Sequence, residues 1–244
     1  MIHDLGTIQK PTWCPGCANF VTLAAIKRAL SELHSEGLID LKKTAIVADI
    51  GCGAKIYDYI NLSAFYSLHG RVIPTAMGIR AGNPDITVIG FGGDGGTYDE
   101  GMSHLVHASK SNPNITMIVG NNRVFALTKG QPTSSEITNP LSIAAAAGAT
   151  FLSRGSAFEI DHLVGLMKQA IIHKGFSFLE IIEPCLIFKN DASDISSKTL
   201  RLEDPRTPIY SIDNLDRLHK TDGSIPIGIF RKSEKAVWED GFRR

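Results

Sequence analysis

Three runs of apolar and β-branched residues, Thr44 to Ile50, Ile86 to Phe91 and Ile115 to Val119, each stop at a glycine turn. The turns are Gly51-Cys52-Gly53, Gly92-Gly93-Asp94-Gly95-Gly96 and Gly120-Asn121-Asn122. Short apolar runs bounded in this way read as buried strands. Between them, Pro74 to Ala81 and Tyr98 to Lys110 read as helices. Strands that alternate with helices imply a parallel sheet, because a parallel pair needs a crossover to bring the chain back to the same edge. The expected fold class is α/β, a mostly parallel sheet flanked by helices.

The remaining segments extend that reading. From Asn19 to about His34, Phe20, Leu23, Ala24, Ile26, Ala29, Leu30 and Leu33 fall close to helical spacing, which predicts a core helix. Ser142 to Ala147 reads as a short alanine-rich helix and Phe158 to His173 as an amphipathic one. Phe176 to Ile182 reads as a further buried strand, where the sheet is expected to close. A chain of 244 residues with 43% hydrophobic content can bury one sizeable core and is short for two full domains. Residues 1–189 are therefore expected to form the domain. The polar, Ser-, Asp- and Lys-rich stretch that begins near Asn190 makes 190–244 an extension packed on the domain or on a partner subunit.

The 25 basic and 25 acidic residues cancel, so net charge calls for neither nucleic acid nor an anionic membrane as partner. No apolar run approaches the roughly 18 residues needed to cross a bilayer, and the opening residues lack the apolar centre of a signal peptide. The expectation is a cytoplasmic protein with no membrane association. In a reducing compartment its four cysteines are poor candidates for structural disulfides. Trp13-Cys14-Pro15-Gly16-Cys17 is a compact Cys-x-x-Cys loop, Cys52 lies at a predicted strand end, and Cys185 follows Pro184 just past another. Four thiolates satisfy a 4Fe-4S cluster and a tetrahedral zinc ion equally well. A thioredoxin-like dithiol or unpaired buried cysteines are further alternatives, the dithiol weakened by the lack of a strand before Trp13. Among eight histidines, His104 and His107 sit at helical spacing near Asp99 and Glu100, either as a zinc-like site or as two ordinary helix histidines.

The turn at residues 92–96 follows a predicted strand and leads into a predicted helix, a geometry whose N–H groups favour an anion such as phosphate. Asp94 places a hard oxygen ligand inside that turn, and Asn122 follows at the end of the next strand. A carboxylate, an amide oxygen and a diphosphate suit magnesium. The alternative is purely structural, with Asp94 as a helix cap and Asn121-Asn122 as a turn.

Gly93-Asp94-Gly95 followed at this distance by Asn121-Asn122 resembles the signature of thiamine-diphosphate enzymes. The resemblance implies that Asp94 and Asn122 ligate magnesium through side chains and Val124 through its carbonyl, while Gly95 and Gly96 face the diphosphate. It also implies that Leu127 props the cofactor in its bent form, with Thr128 as a polar contact; an ordinary core leucine is the alternative for Leu127.

A longer set of motifs is more specific. Trp13-Cys14-Pro15-Gly16-Cys17, Gly51-Cys52, His69-Gly70-Arg71, Gly93-Asp94-Gly95, Asn122, Gly130-Gln131 and Pro184-Cys185 resemble, in order and approximate spacing, the β subunit of 2-oxoacid:ferredoxin oxidoreductases. The match covers nearly the whole chain, to Ile225-Pro226-Ile227-Gly228. It implies that Cys14, Cys17, Cys52 and Cys185 hold one 4Fe-4S cluster near the thiazolium ring, beside a diphosphate-domain fold. Lys55 matches a lysine close to the cofactor, and His69 falls in a segment near the active site, where an imidazole can shuttle protons. The bland readings are a surface lysine and a structural histidine. Arg71 reads either as a substrate or subunit contact or as a local ion pair. Three departures stand out: Ala18 and Ala126 replace common glycines, and Gly96 replaces an aspartate found in many members.

The activity implied is oxidative decarboxylation of a 2-oxo acid, with the acyl group passed to coenzyme A and electrons to ferredoxin. The resemblance further implies a partner α subunit carrying a pyrimidine-binding domain and its activating glutamate. Two rival functions are a non-redox thiamine-dependent 2-oxoacid decarboxylase subunit and a non-enzymatic metal-binding module. The segments around Cys52 and His69 look more like the 2-oxoglutarate branch, whereas Gly95-Gly96-Thr97 looks more like pyruvate and branched-chain types; the balance leans slightly towards 2-oxoglutarate, with selectivity also open to the partner subunit.

Overall fold

The alternation expected from the glycine turns is realised in a computed structural model, which describes residues 5–134, 139–202, 212–213 and 223–241. The elements run α1 (Asn19–Ser35), β1 (Thr44–Ala48), α2 (Ile56–Tyr59), β2 (Ser63–Tyr66), α3 (Val72–Gly82), β3 (Thr87–Gly93), α4 (Met102–Ser111), β4 (Thr116–Asn121), β5 (Val124–Phe125) and β6 (Gln131–Pro132). They continue as α5 (Pro140–Ala146), β7 (Phe151–Ser156), α6 (Ile160–Ile172), β8 (Ser177–Ile182), α7 (Ala192–Lys198), β9 (Thr199–Arg201), β10 (Ile212–Asp213) and β11 (Ile225–Lys232). The main sheet has the order β10-β11-β7-β8-β4-β3-β1-β2, and β9 pairs with β11. From β2 to β7 every neighbouring pair is parallel. The fold class expected from the sequence is the one observed.

Strand alternation sends successive side chains to opposite faces. Ile118 of β4 packs with Leu23, Ile26 and Leu30 of α1 and with Leu163 and Met167 of α6. Met117 and Val119 face the other way, towards Ile73 of α3, Leu105 of α4 and Leu141 of α5. Each such fully buried side chain contributes about 1.5–3 kcal/mol relative to exposure. The result is a sheet covered by helices on both faces.

The chain leaves β1 for the edge strand β2 and returns through α3 to β3, on the other side of β1. The connections diverge there, and in open sheets of this kind the crevice beyond the carboxyl ends of the strands is where ligands bind.

Two expectations are corrected. The sheet does not close at β8, because β7 lies beyond it and β11 runs antiparallel to β7. Strand β7 escaped notice because its buried side chains include Ser153, Arg154 and Ser156, and the Arg154 charge is tolerated there because Glu180 of β8 accepts from it. The helix expected over residues 98–110 is also different: Gly95–Glu100 form a π-helical turn and α4 begins at Met102. Tertiary ties set the wider turn, since Gly96 packs under Asp49 and the Tyr98 hydroxyl donates to Glu180 at 3.0 Å.

Within the segment expected as an extension, Glu239 is buried and accepts from Arg80 Nε at 3.1 Å and from the Asn114 N–H at 2.9 Å. Among the described residues, no helix is long and apolar enough to cross a membrane.

Candidate functional site

Four strands deliver chemistry to one rim of the sheet. Beyond β1 come Asp49 and Cys52, beyond β3 Asp94, beyond β4 Asn122, and beyond β8 Glu183 and Cys185. The loop carrying Cys14 and Cys17 leads directly into α1 and joins them. Two cavities result, of about 230 and 180 Å³. They share Cys52, Asn122, Ala126, Leu127 and Glu183 as a common wall.

The larger cavity is lined by all four cysteines, none of them in a disulfide. Their loop is pinned from both sides. Trp13 packs edge-on against Phe20 and Tyr59 while its Nε1–H donates to the Cys52 carbonyl at 2.7 Å, and the Cys17 N–H donates to the Cys14 carbonyl at 3.0 Å. Asn19 Nδ2 donates to Cys17 Sγ at 3.4 Å. Burial pushes the Cys17 thiol up, against the Asn19 hydrogen bonds, with Glu183 and Cys52 adding to the rise. Burial also raises Cys52, opposed by Lys55 and reinforced by Cys185 and Cys14.

Among the described residues no three His, Cys, Asp or Glu side chains are grouped closely enough to hold a single metal ion. That holds for the cysteines and for the helix bearing His104 and His107. The four thiols lining one cavity are the donor set that a 4Fe-4S cluster takes.

The smaller cavity is lined by Gly51, Gly93, Asp94, Gly95, Gly96, Asn122, Val124, Leu127, Thr128 and His69. Asp94 is buried, makes no side-chain cap to the helical turn that follows it, and accepts from the Thr133 hydroxyl at 2.6 Å. The structural alternative of a helix cap therefore does not describe it. Arg123 takes a left-handed conformation (φ 63°), so the chain reverses between Asn122 and Val124. Side-chain oxygens hold the reversal: Asn121 Oδ1 accepts from the Arg123 N–H at 3.2 Å and Asn122 Oδ1 from the Val124 N–H at 3.0 Å. The space over Gly93 is open, a cradle that a ligand can fill. A buried carboxylate, an amide oxygen and a glycine cradle on one wall fit a magnesium diphosphate.

Leu127 is 51% exposed and lines both cavities, so it is not a core leucine. Thr128 Oγ1 bonds Gln131 Oε1 at 2.8 Å. Lys55 lines the cysteine cavity and its Nζ donates to Thr12 Oγ1 at 3.0 Å. Arg71 donates to the Gly70 and Glu100 carbonyls, at 3.2 and 3.0 Å. His69 lines the smaller cavity, its Nδ1 3.2 Å from Asp49 Oδ1.

Two acids escaped the motif reading. Glu183 is buried in the wall between the cavities, accepts a hydrogen bond from the Thr22 hydroxyl, and is pushed up to about 7 by burial, with the Asp94 charge adding to the rise against the Thr22 bond. Asp49 is fully buried; burial raises its carboxyl, while the Ile50 and Gly70 N–H groups and His69 pull it back. The signal for both was a carboxylate ending an apolar strand, where an unpartnered charge is costly.

A family model described as the thiamine pyrophosphate enzyme, C-terminal TPP binding domain, matches residues 49–181. The chain is 33% identical over 247 residues to the 2-oxoacid:ferredoxin oxidoreductase 1 subunit beta of Aeropyrum pernix, covering 89% of this chain and 76% of the relative. It is 31% identical over 245 residues to the 2-oxoglutarate synthase subunit KorB of Archaeoglobus fulgidus, covering 93% and 87%. A solved structure of the 2-oxoglutarate:ferredoxin oxidoreductase from Magnetococcus marinus, with 2-oxoglutarate, coenzyme A and succinyl-CoA bound, superposes with a TM-score of 0.89 at 25% identity, over 98% of this chain and 87% of that one.

Proposed function

Because the chain belongs to the β subunits of 2-oxoacid:ferredoxin oxidoreductases, we propose that it pairs with an α subunit in an enzyme that decarboxylates 2-oxoglutarate oxidatively. The products are carbon dioxide, succinyl-CoA and two reduced ferredoxins. One observation carries the reading: the four-cysteine cavity and the diphosphate cavity share a wall, so a redox centre and a cofactor would lie side by side. The choice of 2-oxoglutarate is supported by the Archaeoglobus fulgidus relative and by the ligands of the Magnetococcus marinus enzyme.

When bound, thiamine diphosphate supplies a carbon nucleophile for the 2-oxo carbon and a sink for the electrons released with carbon dioxide. The chain's own groups do the rest. Asp94, Asn122 and the Val124 carbonyl would hold magnesium, and Gly95 and Gly96 would face the diphosphate. Gly51 and Thr128 complete the cofactor wall, and Leu127 supports the bent cofactor. Lys55 attracts an anionic group at the mouth of the cysteine cavity, and His69 moves a proton on the other side. Cys14, Cys17, Cys52 and Cys185 bind the cluster as thiolates; since burial raises Cys17 and Cys52, cluster binding releases protons. The glutamate that activates the aminopyrimidine comes from the α subunit. In this reading residues 1–189 carry the site, and β11, from within 190–244, pairs with β7.

The test is an anaerobically purified two-subunit complex assayed with pyruvate, 2-oxoglutarate, 2-oxoisovalerate and indolepyruvate, coenzyme A and a viologen acceptor. Fastest turnover with 2-oxoglutarate, together with iron and acid-labile sulfide in equal amounts, is the expected result. Turnover by the isolated chain would remove the need for the α subunit. Decarboxylation without electron transfer, or zinc in place of iron and sulfide, would overturn the redox assignment.

A further inference from the structure

Asp49 sets a buried carboxylate against the loop that carries His69 and Gly70. Its Oδ1 accepts the Gly70 N–H at 2.9 Å and lies 3.2 Å from His69 Nδ1. Its Oδ2 has no hydrogen-bond partner among the described residues and occupies the space that a β-carbon at Gly96 would need. The imidazole lies over the same glycine, with Cε1 3.0 Å from that β-carbon position. Asp49 is 1% exposed and His69 38%, so the pair runs from the protein interior to the wall of the diphosphate cavity. Arg71 fixes the loop from the other side through the Gly70 and Glu100 carbonyls.

We infer that Asp49 is a positioning residue for His69. It fixes the imidazole with its proton on Nδ1 and leaves Nε2 as the ring nitrogen that serves the cavity. Tethering the loop needs only an acceptor for the Gly70 N–H, which an amide oxygen supplies as well as a carboxylate. A full negative charge kept out of water has a second use where a ring N–H meets it: it holds the ring in one tautomer and one orientation. A side chain at position 96 would displace that carboxylate, so the bare Gly96 is part of the device. The inference rests on the thiamine-diphosphate reading of the cavity for what Nε2 serves, not for the pairing itself.

Two measurements on the α–β complex test it. The first needs no cofactor: carbethoxylation of His69 by diethyl pyrocarbonate at about pH 8, followed by peptide mass spectrometry, should slow about threefold or more in Asp49→Asn, because the ring loses its anionic partner. The second is a cycle in the loaded complex. Asp49→Asn should lower kcat by about 10- to 100-fold with KM for the 2-oxo acid and the affinity for thiamine diphosphate within about threefold of wild type. The double variant Asp49→Asn, His69→Gln should be no slower than His69→Gln alone. An unchanged modification rate, or losses that multiply in the double variant, would overturn the inference. If Asp49→Asn fails to assemble, Gly96→Ala, which pushes the carboxylate aside without removing it, must slow modification in the same way or the inference fails. Failure of the wild-type complex to bind thiamine diphosphate would sink the functional reading alone, since the carbethoxylation comparison still decides the role of Asp49.

Discussion

Glu183 Oε2 fills the space that a β-carbon at Gly120 would require, so the residue just past β8 folds back over the neighbouring strand β4. The carboxyl group is thereby held between the two cavities, with the Thr22 hydroxyl of α1 donating to it. Gly120→Ala forces Glu183 out of this place. Such overpacking costs about 1–3 kcal/mol. A urea midpoint that falls accordingly, partly restored in Gly120→Ala, Glu183→Gly, is the expected outcome; an unchanged midpoint would mean that the wall is soft.

The buried network under the site should behave as a unit. Glu180 accepts from Tyr98 Oη at 3.0 Å, Asn121 Nδ2 at 2.9 Å and Arg154 Nε at 2.6 Å, and Arg154 also lies 5.7 Å from the Phe230 ring centroid. Arg154→Leu leaves a carboxylate 1% exposed without its cation, which costs about 3–5 kcal/mol. Arg154→Leu, Glu180→Leu should cost clearly less than the two single losses added together. Denaturation of the four proteins measures the difference, and strict additivity would show that the pair is not coupled.

Cluster and cofactor ligands should separate experimentally. Cys185→Ser is expected to lose iron and acid-labile sulfide while the complex still binds thiamine diphosphate with magnesium. Asp94→Asn should do the reverse, weakening magnesium-dependent cofactor binding by about tenfold or more with iron content retained. Loss of iron in Asp94→Asn without any effect on the cofactor would invert both assignments.

His173 gives an acid limb to stability. Burial, with the Lys232 charge nearby, depresses its imidazole to about 4, below the value near 6.5 expected in the unfolded chain. Between those values the unfolded chain binds more protons, so the contribution is present above about pH 6.5 and is lost as pH falls towards 4. Relative to His173→Gln, the wild type should lose about 2 kcal/mol of unfolding free energy from pH 7 to pH 4.5. Unfolding curves at the two pH values decide it, and a constant difference would place His173 in contact with solvent.

Much of the architecture was readable because a central parallel strand is buried on both faces and therefore shows as an uninterrupted apolar run. Thr87–Gly93 and Thr116–Asn121 follow that rule, Ser177–Ile182 is interrupted by Glu180, and α1 is legible from its apolar stripe. Strand β7 breaks it, since Arg154 is admitted to the interior only by Glu180 across the β7–β8 pairing. Strand β11 begins at Ile225, long after β8 ends at Ile182 and beyond a polar stretch, so its antiparallel register against β7 is what places it in the sheet.

Residue order alone specified the alternating strands, the glycine turns and the kinds of ligand placed at their ends, because those properties depend on neighbours along the chain. Folding decided which of those ends meet. The shared wall of the two cavities, Glu183 over Gly120 and Asp49 against His69 depend on strand order and on backbone approach between segments distant in sequence. No local pattern encodes such an approach: its cost and its gain, a buried carboxylate and the groups that satisfy it, arise only once the sheet has brought them together.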